Sequence, residues 1–184
     1  MKIAITGHTK GIGKCIKDLL EKDGHEVVGA STSTGINVMR PKSVISWIEK
    51  ENPDVFVNNV YAPNSQCNIL YQLYEKWQYE DKLIINMSST SGEAHTHFQQ
   101  MGYNKDWTPY VSDKARLNFA SLYLSERFNE HHRCRVTNVS PGFVRTQATT
   151  MFTPFIDVYC FMKPEEVAEM VRWGVNGPVS YTHL

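Results

Sequence analysis

A glycine-rich turn near the amino terminus constrains the fold more than any other feature of this sequence. Residues 3–6 read Ile-Ala-Ile-Thr, a short apolar strand, and Gly7, Gly11 and Gly13 follow before a helix predicted to begin near Lys14. Glycines at a strand-to-helix turn let the backbone approach a pyrophosphate, which then meets the N–H groups at the start of the helix. The pattern favours a nucleotide site, with a turn of no further function as the alternative.

Composition excludes several classes of partner. The 184 residues are 41% hydrophobic and carry 19 Lys and Arg against 19 Asp and Glu, so the chain can bury a full core. A net charge of zero gives no support for a nucleic-acid partner or an anionic membrane. Because we find neither an export signal nor an apolar run of about eighteen residues, we expect a cytoplasmic protein.

The cysteines and histidines do not form a metal-binding pattern. The four cysteines are scattered, at Cys15, Cys67, Cys134 and Cys160. They form no C-x-x-C pair and have no histidine at metal-ligand spacing, so they are predicted to be reduced thiols. His95 and His97 lie in a polar loop and are interpreted as exposed side chains. We therefore predict no metal site.

Strands alternate with helices along the chain, which indicates an α/β fold. Strands are predicted at 3–6, 27–30, 55–57, 83–87 and 135–139, and helices at 14–23, from 41, at 68–77, at 110–129 and from 164. The segment 31–35 is too short for a helix, so residues 36–38 can form only the stub of a third strand. Such alternation predicts a Rossmann-type, doubly wound parallel sheet with helices on both faces.

One candidate pair for proton transfer lies at the start of the longest helix. Tyr110 and Lys114 are four residues apart, so they share one helical face. A phenol with a pKa of about 10 is a poor acid or base near neutrality, and a neighbouring ammonium lowers that pKa. Tyr159 and Lys163 repeat the spacing, but Lys163 precedes Pro164, which disfavours helical geometry there.

The order of these motifs resembles one known family. Thr6-Gly7-x3-Gly11-Ile12-Gly13, Asn58-Asn59, Ser88-Ser89, Tyr110-x3-Lys114 and Pro141-Gly142-x3-Thr146 follow one another along the chain. This series resembles that of the short-chain dehydrogenase/reductase family over residues 2–175. The resemblance implies one Rossmann-type domain over residues 1–178 and an oxidoreductase that acts on a carbonyl or alcohol group of a small molecule.

The resemblance also implies catalytic roles. Tyr110 would be the general acid or base, and Lys114 would lower its pKa and hold the nicotinamide ribose. Ser89, rather than Ser88, would donate a hydrogen bond to the substrate oxygen, as in an oxyanion hole. Asn68 is the candidate for the family's fourth position, which relays protons through water, and a plain helix cap is the alternative for Asn68.

A dinucleotide cofactor follows from the same resemblance. The cofactor-binding residues would be Gly7, Thr9, Lys10, Gly11, Ile12, Gly13, Ser31, Thr32, Asn37, Val38, Asn58, Asn59, Tyr110, Lys114, Pro141, Gly142, Val144 and Thr146. Ser31 and Thr32 stand where NAD-specific members carry an acidic residue. Lys10, before the second glycine, has a basic counterpart in NADP-using relatives, with a solvated loop lysine as the alternative. NADP is therefore favoured, with NAD as the alternative.

Two regions depart from the family pattern. Tyr61 is bulky where the family has glycine. Residues 179–184 resemble a translated sequencing adapter, so we expect a non-native tail and a sheet that lacks its last edge strand. A homodimer or homotetramer is expected.

Two functions from different classes remain open at this point. The first is the oxidoreductase, which is favoured by the complete set of Ser89, Tyr110 and Lys114. The second is a non-catalytic nucleotide-binding regulator or scaffold of the same fold. A sugar-nucleotide epimerase fits less well, because such enzymes have larger substrate domains and a different glycine spacing.

Overall fold

Five parallel strands form the centre of the protein. The computed structural model describes residues 1–93 and 106–177. The strands are β1 (Lys2–Thr6), β2 (Glu26–Ala30), β3 (Val55–Asn58), β4 (Leu83–Met87) and β5 (Arg135–Val139). They pair in the order β2-β1-β3-β4-β5. Every residue of β3 and β4 is buried, as expected for parallel strands that are covered on both faces.

Helices cover the two faces of the sheet. They are α1 (Gly11–Lys22), α2 (Pro41–Glu51), α3 (Ser65–Trp77), α4 (Thr108–Ser125) and α5 (Pro164–Asn176). One core lies between the sheet and α1 with α5, and includes Ile16, Leu20 and Val171. The other lies between the sheet and α2, α3 and α4. The predicted doubly wound α/β class is confirmed.

The glycine turn joins β1 to α1 through a close backbone approach. Gly7 and Gly11 have φ values of 73° and 56°, in the left-handed region that favours glycine. A Cβ on Gly13 would lie 2.1 Å from the carbonyl oxygen of Gly7. The helix can begin at Gly11 only because these three positions carry no side chain, which places its start earlier than the predicted Lys14.

The prediction of a short third strand at residues 36–38 is wrong. Residues 36–38 pair with no strand, because the chain turns back directly after β2. A 3₁₀ turn over Thr32–Thr34 is closed by the amide of Ser31, which donates to the Thr34 hydroxyl at 2.8 Å. Gly35 continues it with φ of 79°. Ile36 and Val38 pack against the core below α2 and α3 instead of extending the sheet.

Several helix boundaries differ from the sequence predictions. Helix α3 begins at Ser65, with Asn64 as its N-terminal cap residue at φ of 59°, so Asn68 lies inside the helix. Helix α4 ends at Ser125 rather than near 129. No helix in the two described ranges is long and apolar enough to cross a membrane. His95, His97 and the tail at 179–184 lie outside the described residues.

We predict that Gly13→Ala lowers the free energy of unfolding by about 1–3 kcal/mol, because the new methyl group would overlap the Gly7 carbonyl and force the backbone apart. Urea denaturation measures this change. Gly142→Ala is the matched control, since its Cβ would meet only the Thr90 hydroxyl at 4.0 Å. Equal stability of the two variants would contradict the proposed close approach.

Candidate active site

Two adjoining cavities lie at the carboxyl ends of the strands. The first, of about 660 Å³, runs along the glycine turn to the end of β2. The second, of about 370 Å³, lies between the ends of β4 and β5 and the start of α4. Ile12, Asn59, Thr146 and Ala148 line both. The two cavities therefore form one continuous cleft.

The first cavity has the shape of a nucleotide site. The backbone of Gly7, Gly11 and Gly13 lines it where α1 begins, so the unpaired N–H groups of the first helical turn lie beside it. A Cβ on Gly7 would come within 2.3 Å of the Val60 side chain. The wall thus offers backbone donors at close approach, as an anionic diphosphate requires.

The far end of this cavity is lined by hydroxyl groups. Ser31 and Thr32 line it just after β2, together with Lys10 from the glycine turn. The Ser31 and Ser33 hydroxyls are 2.6 Å apart. No carboxylate is among the described residues that line this cavity. Its only charged lining side chain in the described chain is the Lys10 ammonium.

Tyr110, Ser89 and Lys114 meet in the second cavity. Burial raises the pKa of the Tyr110 phenol, and a hydrogen bond from Ser89 opposes that rise. The Ser89 hydroxyl also accepts from the amide of Ser91 at 3.1 Å. The single proton of this hydroxyl is therefore the one that donates to Tyr110 across the cavity. Ser88 instead donates to the Lys114 carbonyl at 3.5 Å, which is a packing role.

Lys114 is held in a buried site behind the tyrosines. The residue is only 3% exposed. Its Nζ donates to the Gln66 side-chain oxygen and to the Met87 carbonyl, both at 2.8 Å. The same Nζ lies 5.7 Å from the ring centre of Tyr110. Burial lowers the pKa of Lys114 from 10.5 to about 7. Desolvation therefore governs both members of the Tyr110–Lys114 pair.

Solved structures with the same architecture are numerous. A short-chain dehydrogenase from Burkholderia cenocepacia J2315 in complex with NADP superposes with a TM-score of 0.75 at 16% identity, over 99% of this chain and 86% of that one. The 3-ketoacyl-(acyl-carrier-protein) reductase from Brucella melitensis, complexed with NADH, gives 0.75 at 17% identity, over 100% and 95%. A serine dehydrogenase complexed with NADP+ gives 0.72 at 17%, over 100% and 94%.

The chain has the short-chain dehydrogenase fold. The fold expected from the order of the motifs is thereby confirmed. Sequence identities this low show the shared fold and nothing about the reaction. No protein-family model matches the sequence, and no curated protein matches it either. These comparisons therefore assign no function to an individual residue of this chain.

Gln66 takes the place beside the lysine for which the sequence suggested Asn68. Asn68 is exposed on α3 and lines neither cavity, so the structure does not bring it to the site, and Asn64 rather than Asn68 caps the helix. Gln66 is buried, accepts from Lys114, and donates to the carbonyls of Asn58 and Met87 at 2.8 and 3.0 Å. A signal existed, because Gln66 is a polar residue on the apolar stripe that continues with Ile69 and Leu73.

Two predicted cofactor residues face away from the cleft of this short-chain dehydrogenase fold. The Asn37 side chain accepts from the amide of Met39 at 2.9 Å and closes its own turn. The Asn58 side chain is fully buried and donates to the Gln66 carbonyl and to Asn86. Neither residue lines either of these two cavities, because each amide is used within the protein. A cofactor contact from Asn37 or Asn58 stays a prediction.

The remaining predicted residues line the cleft. In the first cavity these are Gly7, Thr9, Lys10, Gly11, Ile12, Gly13, Ser31, Thr32, Val38, Asn59 and Thr146. In the second they are Ser89, Tyr110, Lys114, Pro141, Gly142, Val144 and Thr146, with Ile12 and Asn59 shared. The tertiary structure thus brings together segments that are up to about 140 residues apart in sequence, since parallel strands end at one edge.

The second Tyr-Lys pair is separated from the site. Tyr159 is 92% exposed in a 3₁₀ turn, Val158–Cys160. Lys163 caps the start of α5 with extended backbone, at φ of −81° and ψ of 146°. The pair shares no helix, as the following proline predicts. No group of three His, Cys, Asp or Glu side chains able to hold a metal occurs in the described residues.

Tyr61 contributes a second ring beside the phenol. Its ring centre is 4.8 Å from that of Tyr110, in an edge-to-face arrangement, and 5.5 Å from the Lys114 Nζ. The Tyr61 hydroxyl donates to Asp113 at 3.3 Å, and Asp113 also accepts from the amide of Asn64 at 2.9 Å. The bulky residue at a position where the family has glycine therefore walls the cleft beside Tyr110.

We predict that Lys114 makes stability depend on pH. Between about pH 7 and 9 the unfolded chain carries a proton on Lys114 that the folded protein has lost, because the folded pKa is about 7 and the ordinary value is 10.5. The free energy of unfolding of the wild type should therefore rise with pH, relative to Lys114→Met, by up to about 1.4 kcal/mol per unit. Denaturant titrations at several pH values measure the two slopes.

The control for this prediction is Lys50→Met, which removes an exposed lysine from α2. It should keep the wild-type slope. Burial raises the pKa of Cys134 to about 12, and that thiol changes the slope of all three proteins equally. Parallel slopes for the wild type and Lys114→Met would show that Lys114 keeps its ordinary pKa in the folded protein.

Proposed function

We propose that this protein is an NADP(H)-dependent oxidoreductase that reduces the carbonyl group of a small molecule, or oxidises the corresponding alcohol. One observation carries the proposal: Ser89, Tyr110 and Lys114 line a cavity that opens directly into the cavity of the glycine turn. A proton donor and a dinucleotide site thus share one cleft. A nucleotide-binding scaffold has no use for that arrangement.

The glycine turn and the start of α1 give the cleft the features that a nicotinamide dinucleotide requires. Gly7 and Gly13 let the glycine turn pack closely at the start of α1, because a Cβ at either position would collide with Val60 or with the Gly7 carbonyl, and the start of α1 supplies N–H groups to bind the diphosphate. Thr146 lines both cavities and Val144 lines the second, and both are proposed to hold the carboxamide end. When bound in its reduced form, the dinucleotide supplies the hydride that the carbonyl carbon accepts.

Tyr110 is proposed to deliver the proton. Burial raises the pKa of the phenol, so Tyr110 is protonated near neutral pH and can donate to a carbonyl oxygen as negative charge develops there. Ser89 donates a hydrogen bond to the same oxygen from a hydroxyl that the Ser91 amide fixes in place. The sequence led us to expect a phenol whose pKa is lowered by Lys114. Burial instead raises that pKa, and Tyr110 is proposed as the acid of carbonyl reduction and, in the reverse direction, as the base of alcohol oxidation.

Lys114 is proposed to bind the dinucleotide and to orient it in the cleft. Gln66 and the Met87 carbonyl use two of the donors that a lysine ammonium offers, and the remaining one is available toward the cleft between the Tyr61 and Tyr110 rings. A ribose hydroxyl group is the partner that the resemblance implies. Gln66 therefore acts on the site through the lysine and is a positioning residue.

NADP is the preferred dinucleotide in this proposal. The residues that follow β2 present hydroxyls and no carboxylate to the cavity, so nothing there repels a 2′-phosphate. Lys10 supplies a positive charge on the same wall. Solved structures of the same fold contain NADP in some cases and NADH in others. The expected homodimer or homotetramer stays a prediction.

We predict that Tyr110→Phe lowers kcat/KM for carbonyl reduction at least about 100-fold, because the proton donor is lost, while the Kd for NADPH changes less than about threefold. A panel of aldehydes and ketones, with fluorescence titration of NADPH, measures both. Tyr159→Phe is the matched control, since it makes the same change at a tyrosine that is 92% exposed and also precedes a lysine by four residues. Turnover that survives in Tyr110→Phe would remove Tyr110 from the mechanism, and failure to bind either dinucleotide would remove the proposal itself.

We predict that Lys10→Gln reduces the preference for NADPH over NADH about fivefold, as expected for one exposed charge pair with the 2′-phosphate. The Kd values of both dinucleotides measure it. Lys22→Gln removes the same charge at the other end of α1, where the side chain is exposed, and should leave the preference unchanged. An equal loss in both variants would indicate a general effect of net charge.

A further inference from the structure

Five aromatic side chains among the described residues line the second cavity. They are Tyr61, Trp107, Tyr110, Phe143 and Phe152, and we call them the aromatic wall. The rings contact one another in sequence. The distances between ring centres are 4.8 Å for Tyr61–Tyr110 and 5.9 Å for Tyr110–Trp107. They are 5.4 Å for Trp107–Phe152 and 5.2 Å for Phe152–Phe143. The wall is therefore continuous from the proton donor to the opposite side of the cavity.

The part of the wall beyond Trp107 is fixed by the segment after β5. The amide of Met162 donates to the Phe143 carbonyl, and the amide of Arg145 donates to the Met162 carbonyl, both at 2.8 Å. Between these bonds the chain forms a 3₁₀ helix, Gln147–Phe152, that ends on the ring of Phe152. Phe152 is only 4% exposed and is backed by Phe143. The rings are held in place by the fold and are not side chains in open solvent.

The polar groups of the cavity lie together beside Tyr110. Lys114 is the only charged side chain among the described residues that line it, and two of its donors are used by Gln66 and Met87. Ser89 lines the cavity next to Tyr110, and one carbonyl oxygen can accept from both hydroxyls.

We infer that the substrate is an aryl aldehyde or aryl ketone, whose ring packs against the aromatic wall while its carbonyl oxygen faces Ser89 and Tyr110. A flat ring forms edge-to-face and offset contacts with such a wall at centroid separations of about 4.5–7 Å, which a saturated ring of the same size does not match. We rest this inference on the proposed function for the carbonyl chemistry. The ring preference itself belongs to the cavity and can be measured without turnover.

Ligand binding to the protein without dinucleotide tests the inference. The probes are benzamide and cyclohexanecarboxamide, titrated at pH 8 with NMR detection. Benzamide should bind at least about threefold more tightly than cyclohexanecarboxamide, because of the ring contacts. Equal binding of the saturated amide, or no binding of benzamide, would each overturn the inference.

Matched variants locate the preference. Phe152→Leu should abolish the discrimination between benzamide and cyclohexanecarboxamide. Phe155→Leu, at a residue that is 49% exposed three positions later, should retain it. Phe143→Leu serves as a second wall variant in case Phe152→Leu does not fold. A preference unchanged in a folded wall variant would contradict the assignment.

The same titrations separate this inference from the proposed function. Benzamide selectivity in a protein that binds neither NADPH nor NADH would support the aromatic wall and refute the oxidoreductase. Tyr110-dependent reduction of aliphatic aldehydes with no selectivity for benzamide would support the oxidoreductase and refute the aryl substrate.

Discussion

The site depends on the hydrogen bonds that hold a lysine in a buried position. The Nζ of Lys114 reaches Gln66 and the Met87 carbonyl, and Gln66 in turn donates to the carbonyls of Asn58 and Met87. These bonds connect α4 to α3 and to the ends of β3 and β4. A buried polar group without partners would cost more than it contributes, so the four elements are required to meet at this one point. The position of Tyr110 on the same helix follows from that requirement.

The glycine turn and the lysine network act on opposite sides of the same cleft. Gly13 lets α1 approach the Gly7 carbonyl, which places the start of α1 at the sheet edge. The network places α4 at the same edge from the other side. Asn59 lines both cavities, and it is fixed by its side-chain amide, which donates to the Thr6 carbonyl at 2.8 Å. The glycine turn and Tyr110 therefore come together because two separate packing constraints meet at the ends of adjacent strands.

The shortened segment after β2 changes one wall without disturbing this edge. Its residues form a hydroxyl-rich turn in place of a further strand and leave β2 as an edge of the sheet. The core beneath it is still closed by Ile36 and Val38. At this end the first cavity, of about 660 Å³, is walled by a few side chains, among them Ser31 and Thr32.

From the sequence alone one could predict the α/β class, the glycine turn and the pairing of Tyr110 with Lys114, because strand alternation, glycine spacing and helical periodicity are local properties of the chain. Proline after Lys163 likewise identified the second Tyr-Lys pair as irrelevant. Tertiary structure decided the rest. The stub at 36–38 depended on whether a neighbouring strand would pair with it. The burial of the Asn58 amide against Asn86 depends on a residue that is distant in sequence. Gln66 and the aromatic wall became visible only when helices α3 and α4 and the segment after β5 were brought against the same strand ends, since burial and long-range contacts have no local signature in the sequence.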